Sequence, residues 1–115
     1  MTWHMGLPRL MPVLVLGALA SIAAAPPVSK AKAQEIYHGK CEKCHGPDGH
    51  AKEKGSGMSF ADGEWNQGND LKTLVAVIAD GVPETGMRGF KNQLTADEIQ
   101  ALAKYVRSLD KRLDK

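Results

Sequence analysis

The chain has little of what several common classes of protein require. Its 115 residues include only two cysteines and two each of Phe, Trp and Tyr. No run of alternating apolar and polar residues follows residue 25, so the sequence predicts no significant β-sheet. The formal net charge of +2 argues against nucleic acid as the main partner. The sequence contains no internal repeat, and its length allows one small domain.

The two cysteines stand in one short motif, Cys41-Glu42-Lys43-Cys44-His45. C-x-x-C-H is the spacing that attaches c-type haem covalently. A disulfide here would close a tiny loop and restrain little of the unfolded chain, and a thioredoxin-like redox site would need a βαβ context. Zinc lacks ligands, because no second cysteine pair or histidine pair follows. The motif therefore predicts one haem c, tethered by Cys41 and Cys44 and ligated by His45.

Residues 1–25 have the pattern of a secretory signal peptide. Arg9 is basic, the run Leu10–Ala25 is uncharged, and the run ends in small residues. It is shorter than the ~20 apolar residues that a membrane-spanning helix needs. We therefore expect cleavage between residues 20 and 33 and an exported, periplasmic product without an integral membrane span. Residues 28–110 then form the folded domain, and 111–115 form a charged tail that frays.

Three stretches combine helical start signals with apolar residues at helical spacing. The long segments between them are rich in glycine and predict loops. A loop as long as 46–69 is unusual in a compact domain unless it wraps a cofactor. We expect an all-α fold of three to four helices around the haem. The predicted helices run from a Ser29 cap toward Cys41, from an Asn69 or Asp70 cap through residues 71–80, and from a Thr95–Glu98 capping box toward Leu109.

A haem iron held by one histidine needs a sixth ligand or leaves an open site. His38 and His50 lie too close to His45 in sequence to reach the opposite face of the ring. Met58 is within reach and stays open as a candidate. Met87 lies in a glycine-bounded loop between two predicted helices, with little core to fill, and this position favours it as the ligand.

The chain resembles the class I c-type cytochromes from about Ala31 to Leu109. The resemblance rests on the segments IYHGKCEKCHGPDG, IADGVPETGMRGF and LTADEIQALAKYVRSL, together with the pair EW at 64 and 65. It implies the cytochrome c fold, with His45 as proximal and Met87 as distal ligand of the iron. It also implies a soluble carrier of single electrons between larger redox proteins, and not an enzyme.

The resemblance implies smaller roles as well. The Pro47 carbonyl would accept the proximal imidazole N–H, and the Trp65 indole N–H would donate to a haem propionate. Tyr105 would help the first and last helices to pack. The chain departs from the family pattern at Ala33, where glycine is common, and at Arg88, where proline often follows the ligand methionine.

Two other functions stay open. One is a haem subunit docked to a dehydrogenase or oxidase, and the other is a haem catalyst or small-gas binder with a displaceable distal ligand. Basic side chains near the haem-attaching segments predict a rim that steers an acidic redox partner toward the haem edge. The predicted rim consists of Lys40, Lys43, Lys52, Lys54, Arg88 and Lys91.

Overall fold

The computed structural model describes residues 1–3, 5–18 and 26–113. Within these ranges it contains four helices and one isolated antiparallel bridge, between Gly81 and Arg88, but no strand. The all-α prediction is confirmed. The helices are α1 (Lys30–Lys40), α2 (Glu42–His45), α3 (Leu71–Asp80) and α4 (Ala96–Ser108).

The predicted caps account for where the three longer helices begin. The Lys32 amide donates to the Ser29 hydroxyl over 3.1 Å at the start of α1. The Thr73 amide donates to the Asp70 carboxylate over 3.0 Å at the start of α3, which selects Asp70 over Asn69. Both reciprocal bonds of the Thr95–Glu98 capping box are present at α4. Each satisfies amides that the first turn of a helix leaves without partners.

The core forms where α1 and α3 both pack against α4. Ala33 and Tyr37 of α1 and Leu102 and Ala103 of α4 are completely buried. The rings of Tyr37 and Tyr105 meet edge to face, with centroids 5.4 Å apart, so the predicted contribution of Tyr105 to this contact is confirmed.

The predicted signal peptide lies partly outside the described residues, since 19–25 are not among them. Residues 5–18 form neither helix nor strand, and their large apolar side chains are exposed. Among the described residues, no helix has the length and apolar character needed to cross a membrane.

The C-terminal tail differs from the prediction. The chain continues past α4 into a turn through residue 113, and only 2% of the surface of Asp110 is exposed. Arg112 donates from its backbone and its guanidinium to the Asp110 carboxylate. The expectation that the tail frays was wrong for residues 111–113, because this ion pair and a hydrogen bond from Trp65 to Asp110 hold the turn on the domain.

Candidate functional site

A cavity of about 630 Å³ lies between the helices and the two long loops. Its volume is in the range of sites that take a cofactor. Both cysteines and the predicted iron ligands border it, as do ten residues of the 46–69 loop. These bordering residues include Cys41, Cys44, His45, Met58, Phe60, Trp65 and Met87.

The attachment motif occupies the corner between α1 and α2. Cys41 is the C-cap of α1, where its amide donates to the Tyr37 carbonyl over 2.8 Å, and its carbonyl accepts from the His45 amide over 3.0 Å at the start of α2. Cys41 and Cys44 therefore stand one helical turn apart on the cavity wall. No disulfide joins the two thiols, and burial raises the pKa of the Cys41 thiol to about 11.

Tyr37 fixes the backbone just after His45. Its hydroxyl donates to the Gly46 carbonyl over 2.6 Å, and its side chain is completely buried. Gly46 has a φ of 77°, and a Cβ there would collide with the His50 carbonyl. Only glycine fits this conformation and this close approach, so the backbone conformation directly after the attachment motif is fixed.

The His45 imidazole is held by the Met58 carbonyl, which lies 2.5 Å from Nδ1. Because a carbonyl only accepts, Nδ1 carries the proton and Nε2 is left with its lone pair for a metal. In this structure the partner of the ring is the Met58 carbonyl and not the Pro47 carbonyl that the resemblance implied, because the 46–69 loop folds back and brings Met58 to the ring.

Two aromatic rings, those of Phe60 and Trp65, line the cavity beside His45. Phe60 is the central ring, with its centroid 5.4 Å from the His45 ring and 5.1 Å from the Trp65 ring. The Trp65 indole N–H donates to the Asp110 carboxylate over 2.8 Å. The single indole N–H thus has a protein acceptor, and the Trp65 ring forms part of the cavity wall. The bond from Trp65 to a haem propionate that the resemblance implied stays a prediction.

Met87 sits on a hairpin that is fastened to the end of α3. The Val82 amide donates to the Met87 carbonyl over 3.1 Å, and the Met87 amide donates to the Thr85 hydroxyl over 3.2 Å. The Phe90 amide then donates to the Ile78 carbonyl over 2.9 Å. These bonds on both sides of Met87 hold the loop on the end of α3, although arginine and not proline follows Met87.

Two glycines permit this close approach. A Cβ at Gly81 would collide with the backbone of Met87 to Gly89, and a Cβ at Gly89 would collide with the Ala79 carbonyl and Asp80. By contrast, a Cβ at Gly86 would meet nothing within 4 Å. The hairpin therefore lies directly on the end of α3 because positions 81 and 89 lack side chains.

The other candidate ligands are placed elsewhere. His38 pairs with Glu42 at 3.0 Å and His50 with Asp48 at 3.2 Å, and neither histidine borders the cavity. Met58 does border it, but its backbone is bound to the His45 ring. A ligand for the other side of an iron held by His45 has to come from another part of the wall, and Met87 provides a thioether there.

The predicted basic rim is only partly assembled. Lys40 and Arg88 border the cavity, and Lys40 donates to the Gln93 side chain over 3.1 Å. Lys91 is paired with Asp80 at 3.2 Å. Lys43, Lys52 and Lys54 are exposed but do not border this cavity.

The donor set fits haem c better than a bare metal ion. Within the described part of the chain, no group of three or more His, Cys, Asp and Glu side chains is arranged to hold a metal. Two thiols, an imidazole with Nε2 available and a thioether instead surround a largely apolar cavity. Thiols tether a porphyrin, and an imidazole and a thioether are axial ligands of c-type iron. A helical fold with this site defines a c-type cytochrome.

Comparison with known proteins gives the family. Residues 29–106 match the family model described as cytochrome c oxidase, cbb3-type, subunit III, and the chain belongs to this family of cytochrome c domains. A domain of this kind implies haem c and haem-based electron transfer.

Two curated relatives differ in how much of their length the chain represents. It is 34% identical over 93 residues to the cbb3-type cytochrome c oxidase subunit FixP of Azorhizobium caulinodans, covering 75% of this chain but only 30% of that protein. It is 33% identical over 98 residues to cytochrome c55X of Paracoccus denitrificans, covering 81% of this chain and 89% of that one.

Solved structures agree with the fold. The c-type cytochrome KustC0563 is similar with a TM-score of 0.56 and 35% identity, over 67% of this chain and 95% of that chain. A chain of the Kuenenia stuttgartiensis reducing HAO-like protein complex Kustc0457/Kustc0458 is similar with a TM-score of 0.62 and 25% identity. That match covers 76% of this chain and 47% of the other.

Sequence reasoning missed three contributors to the site: the Met58 carbonyl, Asp110 and the close approach of Gly89. The carbonyl leaves no trace in residue type. Asp110 follows the last apolar turn of α4 and reads as a surface residue. The sequence does mark Gly89, because Gly81 and Gly89 bracket the segment that carries Met87. The contact between this segment and the end of α3 is visible only in three dimensions.

We expect Tyr37→Phe to lower the free energy of unfolding by about 1–3 kcal/mol, because the buried Gly46 carbonyl loses its hydroxyl donor. Urea unfolding of the haem-loaded protein measures the change. Tyr105→Phe is the matched control, since Tyr105 packs on Tyr37 but its hydroxyl makes no hydrogen bond to the described residues. Equal losses in both variants would contradict the role given to the Tyr37 hydroxyl.

We expect Gly89→Ala to weaken the hold on Met87, because its Cβ meets the Ala79 carbonyl. Strain of about 1–3 kcal/mol converts to about 5- to 150-fold stronger binding of imidazole to the oxidised protein in competition with Met87. A spectroscopic titration measures this. Gly86→Ala, with open space around the added methyl, should leave the affinity unchanged. Unchanged binding in Gly89→Ala would show that the close approach does not hold the loop.

Proposed function

We propose that the protein is an exported one-haem electron carrier with His45 and Met87 as the axial ligands. The observation that carries the proposal is that one apolar cavity is bordered by both cysteines, by His45 and by Met87, with the last two held by independent hydrogen bonds. Bound haem supplies an iron that takes up and releases one electron. The residues around it bind the ring, exclude water and fix the ligands.

The two ligands have different supports, and this favours simple electron transfer. The Met58 carbonyl keeps the His45 ring in one tautomer, and the hairpin on α3 holds Met87. A site with both axial positions filled changes its ligand geometry little between oxidation states and leaves no position for a substrate. A histidine–methionine pair also raises the reduction potential. These features argue for a carrier over a haem catalyst or small-gas binder.

The pattern of residues 1–25 supports export, because it matches a secretory signal peptide. The C-x-x-C-H motif in the same chain predicts covalent haem attachment. The mature chain would then carry a folded domain from about residue 28. Its electron donor and acceptor would be larger redox proteins that approach the cavity beside Lys40 and Arg88.

A second candidate is a haem domain that works inside a larger redox complex. The observation that favours it is the family itself, since the family model is described as subunit III of cbb3-type cytochrome c oxidase and the FixP relative is also named as a subunit of a cbb3-type oxidase. The good coverage of cytochrome c55X, at 89% of its length, favours the small separate carrier.

We expect Met87→Ala to lose the far-red sulfur-to-iron absorption band of the oxidised protein and to lower the reduction potential, because the thioether ligand is removed. The reduced variant should also bind carbon monoxide rapidly. Met58→Ala is the matched control: its backbone still reaches His45, so the band should remain. Loss of the band only in Met58→Ala would overturn the ligand assignment.

We expect a freely diffusing carrier to reduce an acidic redox partner in a second-order reaction that slows with added salt, because the charge of Arg88 beside the cavity steers the encounter. Arg88→Glu should slow the reaction and remove part of the salt dependence, whereas Lys52→Glu, away from the cavity, should change less. Stopped-flow absorption measures both. A rate indifferent to salt, together with co-purification with a large partner, would favour the docked subunit.

A further inference from the structure

The turn after α4 reaches across the domain to the cavity wall. Asp110 accepts from the Trp65 indole over 2.8 Å and from the Arg112 guanidinium over 2.9 and 3.1 Å, with 2% of its surface exposed. A buried carboxylate costs free energy unless charged or hydrogen-bonding partners surround it. Here every partner is supplied by two segments, the turn itself and the 46–69 loop.

Gly63 completes this contact. It has a φ of 94°, and a Cβ there would collide with the guanidinium of Arg112. The guanidinium therefore lies directly on the backbone turn that leads into Trp65. We call the group of Gly63, Trp65, Asp110 and Arg112 the C-terminal clamp.

From the clamp, a chain of ring contacts leads to the iron ligand. Trp65 packs on Phe60 with centroids 5.1 Å apart, and Phe60 packs on His45 with centroids 5.4 Å apart. Trp65 and Phe60 both border the cavity. The position of the indole thus decides the shape of the wall beside the proximal imidazole.

We propose that Asp110 is a positioning residue that holds Trp65 as part of the haem wall, so that the indole N–H serves Asp110 and not a haem propionate. The proposal rests on the haem site proposed above but not on the identity of the distal ligand or of the redox partner. The propionates are then held by other groups or by water.

The charge on Asp110 makes the clamp persistent. Hydrogen bonds from Arg112 and then from Trp65 lower the pKa of Asp110 to about 2, and Asp62 lies near enough to Arg112 to favour its charged form. A carboxyl group whose pKa is lower in the folded state contributes stability above its ordinary pKa. This contribution is complete above the ordinary value of 3.8 and is lost as the pH falls toward 2.

The test observes the indole directly in the reduced haem-loaded protein labelled with ¹⁵N-tryptophan. The chain has two tryptophans, Trp3 and Trp65, so loss of a signal in Trp65→Phe assigns the resonance. We expect Asp110→Asn to shift the Trp65 N–H resonance and to speed its exchange with water by about tenfold, the factor for a hydrogen bond weakened by ~1.4 kcal/mol. Asp97→Asn, on the exposed first turn of α4, should change neither.

An unshifted Trp65 resonance in Asp110→Asn would overturn the proposal. Should that variant fold poorly, Arg112→Gln removes guanidinium donors to Asp110 and should move the same resonance. The pH dependence of the reduction potential gives a second readout. Trp65→Phe should leave the pH at which a propionate titrates unchanged. A shift in that pH would show that the indole N–H donates to the propionate and would contradict the proposal. Failure of the Met87 assignment would appear as a far-red band that persists in Met87→Ala, and it would leave the Trp65 resonance unchanged.

Discussion

The helices of this domain do not complete a core by themselves, because each long helix also turns apolar side chains toward the cavity. Tyr37 of α1, Ile78 of α3 and Val106 of α4 are buried in the core and border the cavity at the same time. Protein interiors are close-packed and tolerate few voids larger than a water molecule. A cavity of about 630 Å³ in so small a domain therefore implies that a rigid apolar group belongs to the core.

The two sides of the cavity are built by different means. On the side of His45, the chain turns sharply between α1 and α2. A hydrogen bond from the Tyr37 hydroxyl holds the backbone after His45, and one to the Met58 carbonyl holds the imidazole. On the side of Met87, the hairpin lies against α3 through backbone hydrogen bonds and needs glycine where the two backbones touch. The imidazole is thus oriented by a bond to its own ring, whereas the thioether is placed by the path of the backbone around it.

Local patterns allowed the three longer helices, their caps and the Cys41–His45 motif to be predicted, because each depends on residue type at a fixed spacing, whereas Met87 was inferred from its place in a glycine-bounded loop. Thr95 and Glu98 had to be three apart to form the capping box, and Cys41 and Cys44 one turn apart. The partners of Trp65 and His45 could not be predicted this way. Every residue has a backbone carbonyl, so residue type does not single out Met58 as the partner of His45. Asp110 lies 45 residues from the indole that it binds. Transferring a role by resemblance, as with Pro47, fails when the loop takes another path.

Arg88 shows why a departure from a family pattern need not weaken the site. Proline at 88 would fix φ and remove an amide donor, but the bond that closes the hairpin runs from the Val82 amide to the Met87 carbonyl and does not use the amide of residue 88. The rigidity comes from the turn instead, where Pro83 precedes Glu84 with a φ of 63°, the left-handed region that a type II turn requires at that position. An arginine at 88 therefore costs the hairpin little order, while it brings a positive charge to the edge of the cavity, where a redox partner would approach.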